Sequence, residues 1–212
     1  MRRALILAVL LVLPTAAYAS DMLLAQPRWS LEVKGGVFAP SLENFSGYYG
    51  QSTMPEFALS LAYKLRPQVE LGAGVGASWA TGSALAVSHG TLAGKVTYDL
   101  YPVNLFVLLR AVRSDEQRLI PYIGGGWTRM YYRQKVQDQG TVSGSADGYH
   151  VRGGLQISLN ELDERASSSM YSFYGIMRTS CIFEAQYASA KEDTTSTDLG
   201  GTAYLAGLLF EF

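Results

Sequence analysis

Alternation of apolar residues with a period of two constrains this chain more than any other feature. In its closing stretch, TAYLAGLLFEF, Tyr204, Ala206, Leu208, Phe210 and Phe212 take every second position. That pattern describes a strand with one apolar face. In water such a strand would be an edge open to pairing with other chains. The apolar face must therefore meet something other than bulk water.

The same period recurs upstream. RWSLEVKGGVFAP sets Trp29, Leu31, Val33 and Val37 against Ser30, Glu32 and Lys34. PEFALSLAYKLR sets Phe57, Leu59, Leu61, Tyr63 and Leu65 against Ala58, Ser60, Ala62 and Lys64. After the turn RPQ, Val69, Leu71, Val75 and Trp79 oppose Glu70, Gly72, Gly74 and Ser78. GYHVRGGLQISLN sets Tyr149, Val151, Leu155, Ile157 and Leu159 against His150, Arg152, Gln156 and Ser158. More weakly, Phe183, Ala185 and Tyr187 oppose Ile182, Glu184 and Gln186.

The middle segment, TLAGKVTYDLYPVNLFVLLRAV, exceeds an ordinary strand. Leu92, Val96, Tyr98 and Leu100 hold its even face, but beyond Pro102 the apolar set becomes Val103, Leu105, Val107 and Leu109. One extra residue in a β-bulge inverts parity in this way, and a proline without a ladder donor suits a bulge. The pattern predicts one bent strand over 90–112, hairpinned to the preceding strand near Val87-Ser88-His89-Gly90. A strand to residue 100 followed by an apolar periplasmic helix over 103–112 is the alternative. LIPYIGGGWTRMYYR adds a further strand whose facing the pattern leaves open.

Eight strands result, and their connections fall into two classes. SLENFSGYYGQST, the tip near Ser88, QKVQDQGTVSGSAD and KEDTTSTD are polar and loop-like, whereas RPQ and RSDEQR are short turns. NELDERASSSMYSFYG has Leu162, Ala166, Met170, Phe173 and Tyr174 at helical spacing. Asn160 with Asp163 can cap its start reciprocally, and Gly175 followed by Ile176 can close its end in a left-handed cap. A short helix around 162–174, beneath the strands, is expected.

The first residues suggest the solvent. MRRALILAVLLVLPTAAYAS carries Arg2 and Arg3, an apolar run from Ala4 to Leu13, Pro14, and the small-x-small triplet Ala17-Tyr18-Ala19. This reads as a secretory signal peptide over 1–19, because ~10 apolar residues fall short of the about 20 that cross a bilayer. Beyond it no long apolar run follows, while glycine (22) and tyrosine (14) are abundant and 17% of residues are charged. That balance fits a β-protein with tight bends and aromatic borders. The formal charge is −1, and loss of Arg2 and Arg3 lowers it by two, so no basic surplus points to nucleic acid. Cys181 is the sole cysteine, which leaves no disulfide framework.

In a bilayer, strands survive only where every backbone group pairs internally, that is, in a closed barrel. The expected fold is all-β: an eight-stranded antiparallel transmembrane β-barrel over 20–212 with a short periplasmic helix. Its last strand pairs with the first, and its apolar face meets lipid.

Two stretches carry a family resemblance. The closing Tyr204, Leu208, Phe210 and Phe212 resemble the terminal signal read by the outer-membrane β-barrel assembly machinery. PYIGGGW, from Pro121 to Trp127, is similar to the glycine-rich strand of the small OmpA/OmpX/OmpW-type barrels, which residues 20–212 resemble as a whole. The resemblance implies a monomer in Gram-negative outer-membrane lipid. The assembly machinery would be its partner during biogenesis, with no cofactor and no nucleic acid.

Barrel-type lipid A deacylases, similar in architecture, place histidine and serine two apart on one strand face. Here His150 has Gly148 and Arg152 at those spacings, and His89 has Val87 and Thr91. Ser88 adjoins His89 but points the other way, so no nucleophile lies within reach of a base. Both histidines are expected at the outer rim as ordinary polar residues. An omptin-like protease would need more strands, and no His or Cys cluster suggests a metal. Lipid A acyl hydrolysis is accordingly the least favoured reading, and no enzymatic activity is expected.

The inward set is more informative. Glu32, Lys34, Lys64, Glu70, Lys95, Asp99, Arg110, Arg152 and Glu184 fall on the expected inner faces with nearly balanced signs. The interior of an eight-stranded barrel is just wide enough for side chains to fill, and buried charges must pair. The expectation is a non-enzymatic barrel with a structural or surface-binding role and a lumen plugged by charges. A narrow pore or conduit for small, apolar solutes, as in the OmpW type, is the alternative. Arginine at 156 is expected to be tolerated better than arginine at 155, because it enters a polar interior.

Deleting Phe212, or replacing it with aspartate, is expected to lower the amount of folded, heat-modifiable protein recovered from the outer membrane. Wild-type recovery would count against the terminal-signal reading.

Overall fold

A computed structural model describes residues 26–85, 92–114, 117–137, 140–160, 162, 164–192 and 197–212. The signal-peptide reading over 1–19 and the turn around His89 lie outside them. The elements are β1 (Trp29–Pro40), α1 (Phe45–Tyr49), β2 (Met54–Arg66), β3 (Val69–Leu85), β4 (Leu92–Arg110), β5 (Leu119–Val136), β6 (Gly140–Ser158), α2 (Glu164–Tyr174), β7 (Arg178–Lys191) and β8 (Gly201–Glu211). The strands form one closed antiparallel barrel in sequence order. β1 closes it on β8, from Ser30 opposite Glu211 to Pro40 opposite Gly201. The terminal strand is thus no edge.

Side-chain alternation is kept across the wall of the barrel, with register shifts near strand ends at Lys64/Arg66 and Ser83/Leu85. Even-numbered residues of β1 to β7 face the lumen, and odd-numbered ones do so in β8. Outward-facing Val33, Leu59, Leu61, Leu71, Leu105 and Phe183 are about half exposed, as a lipid face requires. Aromatic residues border this band. Trp29 packs edge-on against Tyr63 near one rim, and toward the other Tyr101 opposes Tyr131 and Trp127 opposes Tyr149 across neighbouring strands.

An 11-residue strand such as β8 suffices to cross a bilayer. β3, β4, β5 and β6 run to 17, 19, 18 and 19 residues, so two tall hairpins project beyond the membrane on the long-loop side. The segment QKVQDQGTVSGSAD, expected as a loop, is mostly the upper part of the β5–β6 hairpin. The register continues without a shift to Val136 opposite Gly140.

β4 corrects a second expectation. It is a strand to Arg110, which removes the helical alternative for 103–112, and it contains no bulge at Pro102. Its register with β5 runs unbroken from Val96–Val136 to Arg110–Tyr122. Val96, Tyr98 and Leu100 face inward and are almost fully buried, on the same face as Phe106, Leu108 and Arg110. The apolar pattern inverts because the surroundings invert. Near the outer mouth the lumen is apolar while the outer wall of the hairpin stands in water.

A smaller expectation also changes. SLENFSGYYGQST contains helix α1, whose Phe45 and Tyr49 are buried in the barrel mouth. α2 forms close to where the spacing predicts it, and Gly175 ends it at φ 70° with its N–H bonded to the Tyr171 carbonyl and that of Ile176 to Met170. Asn160, whose capping with Asp163 falls partly outside the described residues, ties two strands together. Its amide donates to the Met177 carbonyl and accepts from the Thr179 N–H, tying the start of β7 to the end of β6. Asp163 lies outside the described residues.

Leu61→Arg places a cation on the lipid face between the aromatic borders. Urea unfolding from lipid vesicles is expected to show a loss of roughly 2–4 kcal/mol if the site lies near the midplane. An unchanged midpoint would mean that Leu61 does not face lipid.

Candidate functional site

The lumen is the concave part of the molecule, and it is filled in two layers. The layer nearer the chain termini is ionic and takes at least one side chain from every strand. Glu32 of β1 lies at its centre. Lys34 Nζ donates to it at 3.0 Å, Arg110 Nη2 at 2.9 Å and Arg152 Nη1 at 3.2 Å. Lys34 also donates to Glu184 of β7 at 2.7 Å, which accepts the Tyr122 hydroxyl of β5 at 2.9 Å. Arg110 of β4 donates from Nε to Glu70 of β3 at 2.9 Å and from Nη1 to the side-chain Oε1 of Gln156 in β6 at 2.9 Å. Gln156 passes the chain on to Ser180 at 3.1 Å. Lys64 of β2 pairs with Glu211 of β8, and Arg178 Nε lies 3.7 Å from the same carboxylate.

The four carboxylates Glu32, Glu70, Glu184 and Glu211 meet the four cations Lys34, Lys64, Arg110 and Arg152. All eight are nearly or wholly withdrawn from solvent, Lys64 being the most open with a side chain 10% exposed. Aromatic rings support two of the guanidiniums. Arg152 lies 3.8 Å above the centre of Phe106 and Arg110 4.9 Å from that of Tyr122. Glycines make room for these rings. A Cβ at Gly72 would stand 2.5 Å from Phe106, and one at Gly154 would stand 2.7 Å from Tyr122.

The second layer fills the outer half of the lumen and is apolar. Phe38, Met54, Ala80, Val96, Leu100, Met130, Ala203 and Leu205 form one buried cluster, capped from above by Phe45 and Tyr49 of α1. Tyr98 meets both caps, at 6.3 and 6.0 Å between ring centres. Gly82 of β3 allows the cap to seat, because a Cβ there would fall 2.5 Å from the Tyr49 Cα.

Of the nine charges assigned to the interior, Glu32, Lys34, Lys64, Glu70, Arg110, Arg152 and Glu184 come together there. Lys95 and Asp99 do not. Lys95 is exposed, and Asp99 faces outward with Arg133 Nε 3.6 Å away on the neighbouring strand. Both sit on the tall hairpin, where the outer wall is wet. His150 is likewise displaced from its expected place at the rim. It is 1% exposed inside the lumen, edge-on to Phe106 at 6.5 Å. Neither of its ring nitrogens has a side-chain hydrogen-bond partner among the described residues. No group of three His, Cys, Asp or Glu side chains suited to a metal occurs among those residues. His89 lies outside them.

Sequence reasoning missed Glu211 and Tyr122. Glu211 stands between Phe210 and Phe212, so alternation alone would have turned it inward; the aromatic residues beside it drew the reading. Tyr122 was hidden by the undetermined facing of its glycine-rich strand. At the terminal end the network opens into a cavity of 580 Å³ lined by Arg28, Lys64, Arg66, Arg178 and Glu211 among others. Tyr204, Leu208 and Phe210 share the outward face of β8, and Phe212 follows its last residue.

Comparison with known proteins agrees with this architecture. A family model described as the outer membrane protein beta-barrel domain matches residues 5–212. No curated protein matches the sequence. Among solved structures, neisserial surface protein A aligns at 11% identity and TM-score 0.53 over 87% of this chain and 96% of its own. OprG of Pseudomonas aeruginosa aligns at 12% and 0.54 over 88% and 97%. Ail, the attachment invasion locus protein of Yersinia pestis, solved with the heparin analogue sucrose octasulfate, aligns at 13% and 0.52 over 88% and 99%. At these identities the likeness is one of fold.

Arg110→Ala would leave Glu70 and Glu32 buried without their principal cation. The expected cost is about 3–5 kcal/mol in urea unfolding. Gln156→Arg should also be damaging, because position 156 is fully buried against Arg110 rather than open to a polar channel. Near-wild-type midpoints for both variants would show that the network is not stabilising the barrel.

Proposed function

The chain belongs to the outer membrane protein β-barrel domain family, and from that premise we propose that it is a non-conducting, non-enzymatic barrel acting through its outward-facing surface. The observation that carries this reading is the filling of the lumen. A charge layer whose ions pair with one another lies under an apolar layer in which Met54, Leu100 and Met130 are at most 2% exposed. A water path would have to break both. The conduit alternative draws support from the cavity at the terminal end, which reaches Arg110 and Gln156 but goes no further than that layer.

Several features complete the proposal. The chain is exported by its first 19 residues, inserted by the assembly machinery through the aromatic face of β8, and held as a monomer in Gram-negative outer-membrane lipid. Hydrolysis is disfavoured because His150 lies against Phe106 and Arg152, with no serine or carboxylate bonded to it among the described residues.

Refolded protein in planar bilayers is expected to give no discrete channel openings, and incubation with lipid A or phospholipid is expected to release no fatty acid. Steady unitary conductance would replace the closed reading with the conduit. Fatty-acid release that disappears in a His89→Ala, His150→Ala variant would replace both with an enzyme.

A further inference from the structure

We propose that the outer mouth of the barrel holds a binding site for a small primary ammonium ion carried on an apolar body. The proposal rests on the closed-lumen reading in one respect, that the apolar layer forms the floor of the site. A cavity of 270 Å³ lies at this mouth, a size suited to a ligand smaller than a drug molecule.

Its walls are chemically one-sided. Four rings pack on one another there: Phe45 and Tyr49 at 4.5 Å, Tyr49 and Tyr98 at 6.0 Å, and Tyr98 and Tyr132, stacked, at 6.4 Å. The charged residues of the lining are both carboxylates, Glu43 and Glu192, and no lysine, arginine or histidine contributes to its described wall. The Tyr132 hydroxyl donates to Glu192 at 3.3 Å, which holds that carboxylate beside the stacked rings. Burial pushes the Tyr49 hydroxyl up to about 12, so its ring remains neutral.

Aromatic faces attract cations, and two carboxylates add to that attraction while repelling anions. One orphaned group makes the selection sharper. Tyr98 is 4% exposed, and its hydroxyl has no partner among the described residues although the residue lines the cavity. A buried hydroxyl without a partner is costly. An apolar guest would leave it unpaired, whereas an ammonium N–H can donate to its oxygen and to the carboxylates while the apolar body lies on the rings. This site lies apart from the ionic layer of the lumen, whose charges are already paired.

The test uses the full chain in neutral-detergent micelles with carbon-13-labelled tyrosine, following the Tyr98 and Tyr132 ring signals. Benzylammonium, benzyl alcohol and benzoate are the probes. Benzylammonium is expected to shift these signals saturably, benzyl alcohol to bind about tenfold or more weakly than it, and benzoate not to bind. Glu192→Gln should weaken benzylammonium by a similar factor and leave benzyl alcohol unchanged. Heat-modifiable mobility checks that the variant folds, and Glu43→Gln, at an exposed position, should weaken benzylammonium in the same direction. Equal affinity for the alcohol and the ammonium, or no saturable shift with the ammonium, would overturn the proposal. Channel openings in planar bilayers would sink the closed-lumen reading whatever the titration gives. Loss of ammonium selectivity would sink the site whatever the conductance.

Discussion

Pairing of buried charge inside a closed ring of strands is the interaction on which the rest of this molecule depends. Nine charged side chains, Glu56 among them, enter an interior only wide enough for side chains, where an unpaired ion would cost several kcal/mol. Eight of them pair, and the partners lie across the lumen as well as on adjacent strands, whereas Glu56 keeps a carboxylate oxygen without a hydrogen-bond partner among the described residues. Lys34 of β1 reaches Glu184 of β7, and Lys64 of β2 reaches Glu211 of β8. These pairs cross the β1–β8 seam where the sheet closes. A barrel left open at that seam would strand both cations, so the network favours closure as well as filling the lumen.

The apolar layer above it has a different logic. Beyond the lipid band the outer wall faces water, so an apolar set there can be buried only inward. The β3–β4 hairpin accordingly carries Val96, Tyr98 and Leu100 toward the axis and Lys95 and Asp99 away from it. α1 folds into the opening because Phe45 and Tyr49 find that apolar surface, and Gly82 lets the helix backbone approach β3. The plug is thus half ionic and half apolar, and the boundary between the halves tracks the change of solvent outside.

This division also separates possible roles. The ions of the inner half pair with one another, although Arg152 Nε and Nη2 keep no hydrogen-bond partner among the described residues. The outer mouth retains stacked rings, two carboxylates and a hydroxyl without a partner among the described residues, at the end of the barrel that carries the long loops. Chemistry toward the surroundings is more readily placed there than in the lumen.

Alternation by itself determined much of this protein. Trp29, Leu31 and Val33 against Ser30, Glu32 and Lys34 announced a two-faced strand, and seven of the nine interior charges follow from that parity. Local spacing likewise placed α2, because Gly175 and Ile176 form a cap from neighbouring residues alone. Only the tertiary structure decided which solvent each face meets along the strand. From Val96 to Leu109 the polarity inverts while the register does not. A pattern read without knowing where lipid gives way to water mistook that for a bulge and turned Lys95 and Asp99 inward. The pairings within the lumen were equally beyond sequence, since Lys34 and Glu184 are 150 residues apart. Closure of the barrel is what brings them within 2.7 Å, and the low polarity of that interior is what makes the contact obligatory.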